Sequence, residues 1–247
     1  MASRLLNKRR SSSLLLAALV FQNIVACSSS IDEVTQFHHV EYGDEFLARG
    51  DYNSAISAYR TALHSDSLDY VIWGKLSQAY AGKGLEAAAS TYLRKSVAGF
   101  QTAGLAAVKS GNDSLALIHY TNLLRLDPLN PNAYLFIGDV HRRAGDVEES
   151  VKAYSRATQI DSSNHNFWIK LADAYLLIDD SDAAIQAFQK ASKININSYL
   201  SYLGLGSIYL AKKDFAVAKQ YYQKALFVKP DLQKARSALD YLNSLTK

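Results

Sequence analysis

Apolar and small residues recur at helical spacing over the stretch from Tyr199 to Leu232. Leu205 and Tyr209 lie four positions apart, so they share one face of a helix. A second face with spacings of four and three follows, formed by Ala218, Tyr222 and Ala225. Pro230 ends this second helix, because proline has no N–H and clashes with the preceding turn. The stretch therefore predicts two helices that pack small side chains against large ones.

The same spacing recurs along most of the chain. We place six units at residues 36–69, 70–96, 97–130, 131–164, 165–198 and 199–232. The amphipathic pattern of residues 233–247 predicts a last helix that covers the exposed apolar side of the sixth unit. The second unit is seven residues short, about two helical turns, which predicts a tight or distorted join near residues 97–101.

These units resemble the tetratricopeptide repeat, a helix–turn–helix unit of 34 residues. Gly206 stands at a close approach of the two helices of one unit, and Gly50 with Asp51 marks a turn between helices. The resemblance implies an all-α fold, a right-handed α-solenoid of about six repeats with a C-terminal capping helix over residues 36–247. One repeat cannot bury its apolar face alone, so each needs its neighbours.

The first 26 residues have the pattern of an export signal. A basic segment precedes the apolar run Leu14–Phe21, which is too short to span a bilayer. Ile24 to Cys27 resembles a bacterial lipobox, in which the cysteine receives a lipid and the signal, residues 1–26, is removed. Residues 27–35 would then form the lipidated end and a short tether. The alternative is an ordinary secretory signal with a chance cysteine.

Charge is unevenly placed along the chain. Of the 27 Lys and Arg residues, four lie in residues 1–26, and the remaining 23 equal the number of Asp and Glu residues. A nucleic-acid binder would keep a basic surplus in its folded part, so we expect no nucleic-acid partner. Cys27 is the only cysteine, which excludes a disulfide within the chain.

No arrangement of residues predicts chemistry. Glycine-rich phosphate loops and CxxC, HExxH and GxSxG motifs are absent from the sequence. His141 has no second ligand three or four positions on, so we interpret it as a packed, hydrogen-bonded histidine. Residues 179–182 are acidic, and we interpret them as capping a helix. We expect no catalytic residues, no metal site, no cofactor and no enzymatic activity.

The resemblance places a binding groove along the first helix of each repeat. The repeat positions that face the ligand in that family correspond here to Arg142, Arg143, Asn166, Ile169, Asp173, Leu176, Leu177, Leu200, Leu203, Ser207 and Leu210. An apolar groove of this kind would accept an amphipathic helix or an extended peptide. The alternative is that some of the leucines pack against the capping helix or within a tighter superhelix. The lysine–asparagine clamp for chaperone termini is absent, since Val40 and Asp44 stand there.

The expected role is a membrane-anchored scaffold for protein–protein interaction in the bacterial cell envelope. A lipid anchor on Cys27 would hold it at the membrane, expected at the periplasmic face of the outer membrane, and its partners would be other proteins or peptides. The layout of lipobox and six repeats is similar to that of outer-membrane lipoproteins that help assemble a secretin or pilus complex. The alternatives are an adaptor for peptidoglycan-remodelling enzymes and, more remotely, an enzyme or small-ligand receptor.

Overall fold

The computed structural model describes residues 37–64 and 69–245, and all regular structure in these ranges is helical. The first helix, α1, covers residues 37–48. The other eleven are α2 (Tyr52–Ala62), α3 (Tyr70–Gly82), α4 (Glu86–Lys109), α5 (Asp113–Leu126), α6 (Pro131–Ala144), α7 (Val147–Ile160), α8 (His165–Leu177), α9 (Ser181–Ile194), α10 (Tyr199–Ala211), α11 (Phe215–Val228) and α12 (Gln233–Ser244). The expected all-α fold is confirmed. Cys27 and the rest of residues 1–36 lie outside the described ranges.

The chain divides into two compact units, residues 1–100 and residues 101–247. In the first unit, Tyr59 and Leu76 belong to a core in which α2 packs against α3. In the second unit, each helix from α5 to α12 contacts the next in the chain, and small alanines alternate with Tyr154, Phe188 and Tyr222 in the core. Each unit therefore buries its apolar faces by packing sequential helices together.

Residues 97–101, where a tight or distorted join is expected, lie within one continuous helix. One helix, α4, runs without interruption from Glu86 to Lys109 and occupies the place of two shorter helices. Gly99 and Gly104 lie inside it, and each lies against an aromatic ring. A Cβ atom on Gly99 would come closer than 3.0 Å to Tyr70, and one on Gly104 would do the same with Tyr120. These glycines make room for rings and do not break the helix.

The turns between paired helices follow the capping chemistry that the sequence predicts. Gly50 has φ of 76°, and Asp51 begins α2 by accepting a hydrogen bond from the backbone N–H of Ser54. Asp180 begins α9 by accepting one from the N–H of Ala183 at 2.9 Å. The interpretation of residues 179–182 as a helix cap is thereby confirmed, since the carboxylate satisfies an N–H that the first turn leaves free.

Close packing within a helix pair depends on a small residue beneath an aromatic ring. A Cβ on Gly138 of α6 would lie 2.5 Å from Cε1 of Tyr154 in α7. A Cβ on Gly206 of α10 would lie 2.9 Å from two ring atoms of Tyr222 in α11. Real Cβ atoms do not approach this closely, so the ring rests directly on the backbone of the first helix.

The last helix covers the end of the second unit. Ala235 and Leu242 of α12 are buried in a cluster with Ala218, Tyr222 and Ala225 of α11. The expected capping helix is thereby confirmed. Among the described helices, none is long and apolar enough to cross a membrane.

Candidate partner-binding groove

Six of the predicted groove residues line one cavity in the second unit. The cavity has a volume of about 190 Å³ and lies among α8, α9, α10 and α12. The six predicted residues that line it are Ile169, Asp173, Leu176, Leu200, Leu203 and Ser207. They meet because α8 and α10 present the same face, each repeating at helical spacing. The cavity combines apolar walls with one carboxylate.

The remaining predicted residues lie elsewhere. Arg143 is held in an ion pair with Asp113 of α5, with 2.5 Å between Nη2 and Oδ1. Arg142 and Asn166 are exposed, and Leu177 is 56% exposed at the end of α8. Leu210 packs, half-buried, against the cluster that α11 and α12 form. None of these five residues lines the cavity.

Two cavity leucines also stabilise the fold. Leu203 packs against the core cluster of α11 and α12, and Leu176 packs against the cluster that contains Phe188. Leu203 and Leu210 both pack against the cluster of α11 and α12, so part of their apolar surface is used within the fold. Leu200 differs from these, since it lines the cavity and is 44% exposed. It is the apolar wall residue most accessible to a partner.

Three residues of the cavity were not predicted: Phe188, Gly204 and Lys234. The 34-residue spacing could have indicated Phe188 and Gly204. Phe188 occupies the repeat position of Tyr154, and Gly204 occupies that of Lys170, each 34 residues farther on. Lys234 belongs to α12, which lies outside the repeat pattern, so no spacing relates it to the groove.

One arrangement, in which an aspartate accepts hydrogen bonds from a tyrosine and a lysine, occurs twice in the chain. Asp139 of α6 accepts hydrogen bonds from the Tyr154 hydroxyl at 2.6 Å and from the Lys170 ammonium at 2.8 Å. In the first unit, Asp44 accepts from Tyr59 at 2.6 Å and from Lys75 at 2.6 Å in the same way. Both sets have sequence separations of 15 and 31 residues. Burial, reinforced by the Asp139 carboxylate, raises the pKa of the Tyr154 hydroxyl.

Asp173 holds the same repeat position as Asp139 but lacks both of these partners. Phe188 has no hydroxyl, and Gly204 has no side chain to supply an ammonium group. Within the described ranges, no side chain forms a hydrogen bond or an ion pair with the Asp173 carboxylate. The surrounding protein removes water from this group and raises the pKa of the Asp173 carboxyl, although Lys170, Arg142 and Lys234 act in the opposite direction.

Ring packing in this repeat leaves no room for a lysine at position 204. Ala172 stands where Gly138 stands one repeat earlier, so its Cβ occupies the space over which Tyr154 lies in the preceding pair. The Phe188 ring instead lies over Gly204 of the next repeat, where a Cβ would approach the ring closer than 3.0 Å. A lysine at position 204 would therefore collide with this ring.

The other polar positions show ordinary packing. His141 is half-buried, with its Nδ1 atom 3.4 Å from an oxygen of Asp146 in the following turn. Ser207 accepts a hydrogen bond from the Tyr222 hydroxyl at 3.3 Å and donates one to the Leu203 carbonyl at 3.0 Å. Across residues 37–64 and 69–245, no three His, Cys, Asp or Glu side chains come together as metal ligands would.

Family models match most of the helical region. Two tetratricopeptide repeat models match, one over residues 42–103 and 102–165 and the other over residues 165–195 and 199–232. The chain belongs to the tetratricopeptide repeat family. Repeats of this family build scaffolds for protein–protein interaction, and the family is in general not enzymatic. No curated protein matches the chain.

Solved structures with the same fold have low sequence identity to this tetratricopeptide repeat protein. The C-terminal part of a tetratricopeptide repeat-containing protein from Cytophaga hutchinsonii is 19% identical, with a TM-score of 0.55 over 84% of this chain and 88% of that one. A chain of the APC/C hetero-tetramer Cut9–Hcn1 is 18% identical, with a TM-score of 0.53 over 86% of this chain. The match spans 45% of that chain's own length.

A third structure contains a bound peptide. It is the first tetratricopeptide domain of Spaghetti bound to an HSP90 peptide, 19% identical, with a TM-score of 0.45 over 47% of this chain and 92% of that one. The first two structures show a shared fold, and at these identities no comparison shows a partner of this chain.

Proposed function

We propose that this protein is a membrane-anchored scaffold of the bacterial cell envelope, and that the cavity among α8, α9, α10 and α12 binds a segment of a partner protein. The observation that supports partner binding is the cavity itself. Its apolar walls include the accessible Leu200. Apolar side chains of a partner that enter the cavity would be removed from water, which favours binding.

The size of the cavity favours side chains of a peptide over a small molecule. Sites for drug-sized ligands have volumes of about 300–1,000 Å³ and enclose most of the ligand. The cavity that contains Asp173 has about 190 Å³. One or two side chains of an amphipathic helix or extended segment would fill this space.

Membrane attachment is supported by the sequence pattern that ends at Cys27. Two or three acyl chains on this residue would anchor the protein stably, since a single chain binds a bilayer only weakly. The repeats would then present the groove at the membrane surface, which we place at the periplasmic face of the outer membrane. The layout of lipobox followed by repeats supports a role in assembling a secretin or pilus complex.

Site-specific photo-crosslinking in intact cells tests the groove. A photoreactive amino acid replaces Leu200, which lines the cavity, or Leu177, which is exposed on α8 but does not line it. We expect one protein to be crosslinked from position 200 and not from position 177. Equal crosslinking from both positions would contradict the proposed groove.

The identity of the crosslinked protein tests the role. Recovery of a secretin or pilus component from position 200 is the expected result. Recovery of an enzyme that cleaves peptidoglycan would replace the assembly role with the adaptor role, while the groove itself would stand.

A further inference from the structure

We infer that the cavity takes a lysine or arginine side chain of the partner segment, placed between apolar side chains, with Asp173 as its acceptor. This inference rests on the proposed function, because it names the chemistry of the segment that the groove binds.

The first argument is the repeat of one ion pair within the chain. Asp44 and Asp139 each receive a lysine from the following repeat, at 2.6 Å and 2.8 Å. The lysine that corresponds to Lys170 would come from position 204, which is a glycine. The acceptor at the same repeat position, Asp173, is thus present without its intramolecular donor.

The second argument is the position of the cavity. Asp173 and Gly204 both line the cavity, so the cavity lies where the lysine of the other two sets would be. The apolar side chains of Leu176, Leu200 and Leu203 line the same cavity. A basic side chain has an apolar stem and a charged end, so its stem would contact the leucines while its end reaches Asp173.

The third argument concerns the cost of desolvation. Asp173 remains accessible from solvent, but the neighbouring helices remove part of the hydration of its carboxylate, and no hydrogen-bond donor from the described residues replaces it. A cationic donor would restore that interaction with a charge-assisted hydrogen bond, which is stronger than a neutral one.

The opposite choice, an acidic segment bound by the nearby cations, is less well supported. Lys170 is engaged by Asp139, and Arg142 and Lys234 are exposed to water. An acidic group would have to approach Asp173 at the same time, and two like charges in one site disfavour each other. A basic segment would place its charge next to this carboxylate, and the exposed Lys234 can direct its own ammonium group into water.

The first test is selection from a library of random 12-residue peptides displayed on phage. The purified protein is the target, and the variant Leu200→Ser, which removes the apolar wall without adding a charge, removes peptides that bind elsewhere. We expect the peptides that depend on Leu200 to be enriched in Lys or Arg next to apolar residues. Leu200-dependent peptides that are acidic, or show no preference for charge, would overturn this inference and leave the groove in place. If no peptide depends on Leu200, both the groove and this inference are wrong.

The second test measures the pair directly. The tightest selected peptide and its Lys→Met counterpart (Arg→Met if the basic residue is Arg) are titrated against the wild-type protein and against Asp173→Asn by fluorescence anisotropy. We expect either single change to weaken binding about tenfold, and the double change to weaken it little further, because both remove one interaction.

A matched variant controls for the loss of one negative charge. Asp179 lies in the turn after α8 with φ of 58°, a conformation that asparagine tolerates, so Asp179→Asn keeps the fold. It should bind both peptides as the wild type does. Equal weakening by Asp173→Asn and Asp179→Asn, or additive losses in the cycle, would show that Asp173 does not receive the basic side chain.

Discussion

Aspartates at one repeat position differ in what they contribute to the folded protein. Asp139 accepts hydrogen bonds from Tyr154 and Lys170, whereas Asp173 has neither partner. We expect Asp139→Ala to lower the free energy of unfolding by about 1–3 kcal/mol, because it leaves a buried hydroxyl without an acceptor. Asp173→Ala, the matched change one repeat later, should alter it by about 0.5 kcal/mol or less.

Urea denaturation followed by circular dichroism measures both variants. If the two changes destabilise the protein equally, the hydrogen bonds that Asp139 accepts from Tyr154 and Lys170 contribute nothing to stability.

The raised pKa of the Asp173 carboxyl gives a pH dependence of known sign. The folded protein binds a proton here more readily than the unfolded chain does, so stability falls as pH rises from the ordinary carboxyl range through the raised pKa. Asp173→Asn removes this loss. We therefore expect the melting temperature of the variant, relative to the wild type, to increase from acidic to neutral pH.

The cations around this carboxylate oppose the rise in its pKa and so reduce the expected pH dependence of stability. Lys170, Arg142 and Lys234 all favour its ionised form, and burial outweighs them. If the wild type gains stability relative to Asp173→Asn as pH rises, these cations outweigh burial, and the pKa is lowered instead. Asp179→Asn serves as the control, with a melting-temperature difference that should not follow this pattern.

At the scale of the helix, the capping function of α12 depends on one side of it. Leu242 is 3% exposed, and its neighbour Tyr241 is 53% exposed. We expect Leu242→Ala to lower the free energy of unfolding by about 2–5 kcal/mol, because it leaves a cavity in the cluster around Tyr222. Tyr241→Ala, on the same helix, should have a much smaller effect. Thermal denaturation of the two variants distinguishes them, and equal losses would contradict the assigned packing of α12.

The sequence predicted the paired helices well because their signals are local. Each signal lies within one repeat and could be recognised from spacing alone. Examples are Asp180, which begins α9, and the Tyr222 ring, which lies over Gly206. Helix α4 shows where such reasoning fails. The missing seven residues do not reveal that a single helix continues through Gly99 and Gly104. A helix tolerates glycine at a cost of about 1 kcal/mol, and here aromatic rings occupy the freed space.

The groove was predictable in part for a related reason. Positions on α8 and α10 follow from the repeat, and six of them do line one cavity. The ion pair that engages Arg143 and the packing of Leu210 depend on neighbouring helices, which spacing does not specify. The contribution of Lys234 depends on how α12 packs after the last repeat, so only the three-dimensional structure could reveal it.

At the scale of the whole molecule, attachment to the membrane should depend on the side chain at position 27. We expect Cys27→Ser to move the protein from the membrane fraction to the soluble fraction, because the thiol that would carry the lipid is gone. Ser28→Ala, the neighbouring change, should leave the protein in the membrane fraction. Fractionation of cells that express each variant measures this. Unchanged association of the Cys27→Ser variant with membranes would contradict the lipid anchor.

The exchange of ring positions around Ala172 limits how far these repeats can serve as interchangeable modules. A graft of the α6–α7 pair in place of α8–α9 would bring in a glycine below its own tyrosine and leave Gly204 with nothing above it. Such a hybrid array would tolerate a lysine at position 204 that the natural order excludes. Residues 172, 188 and 204 therefore pack as one group that crosses a repeat boundary, so an exchange of repeats has to move all three together.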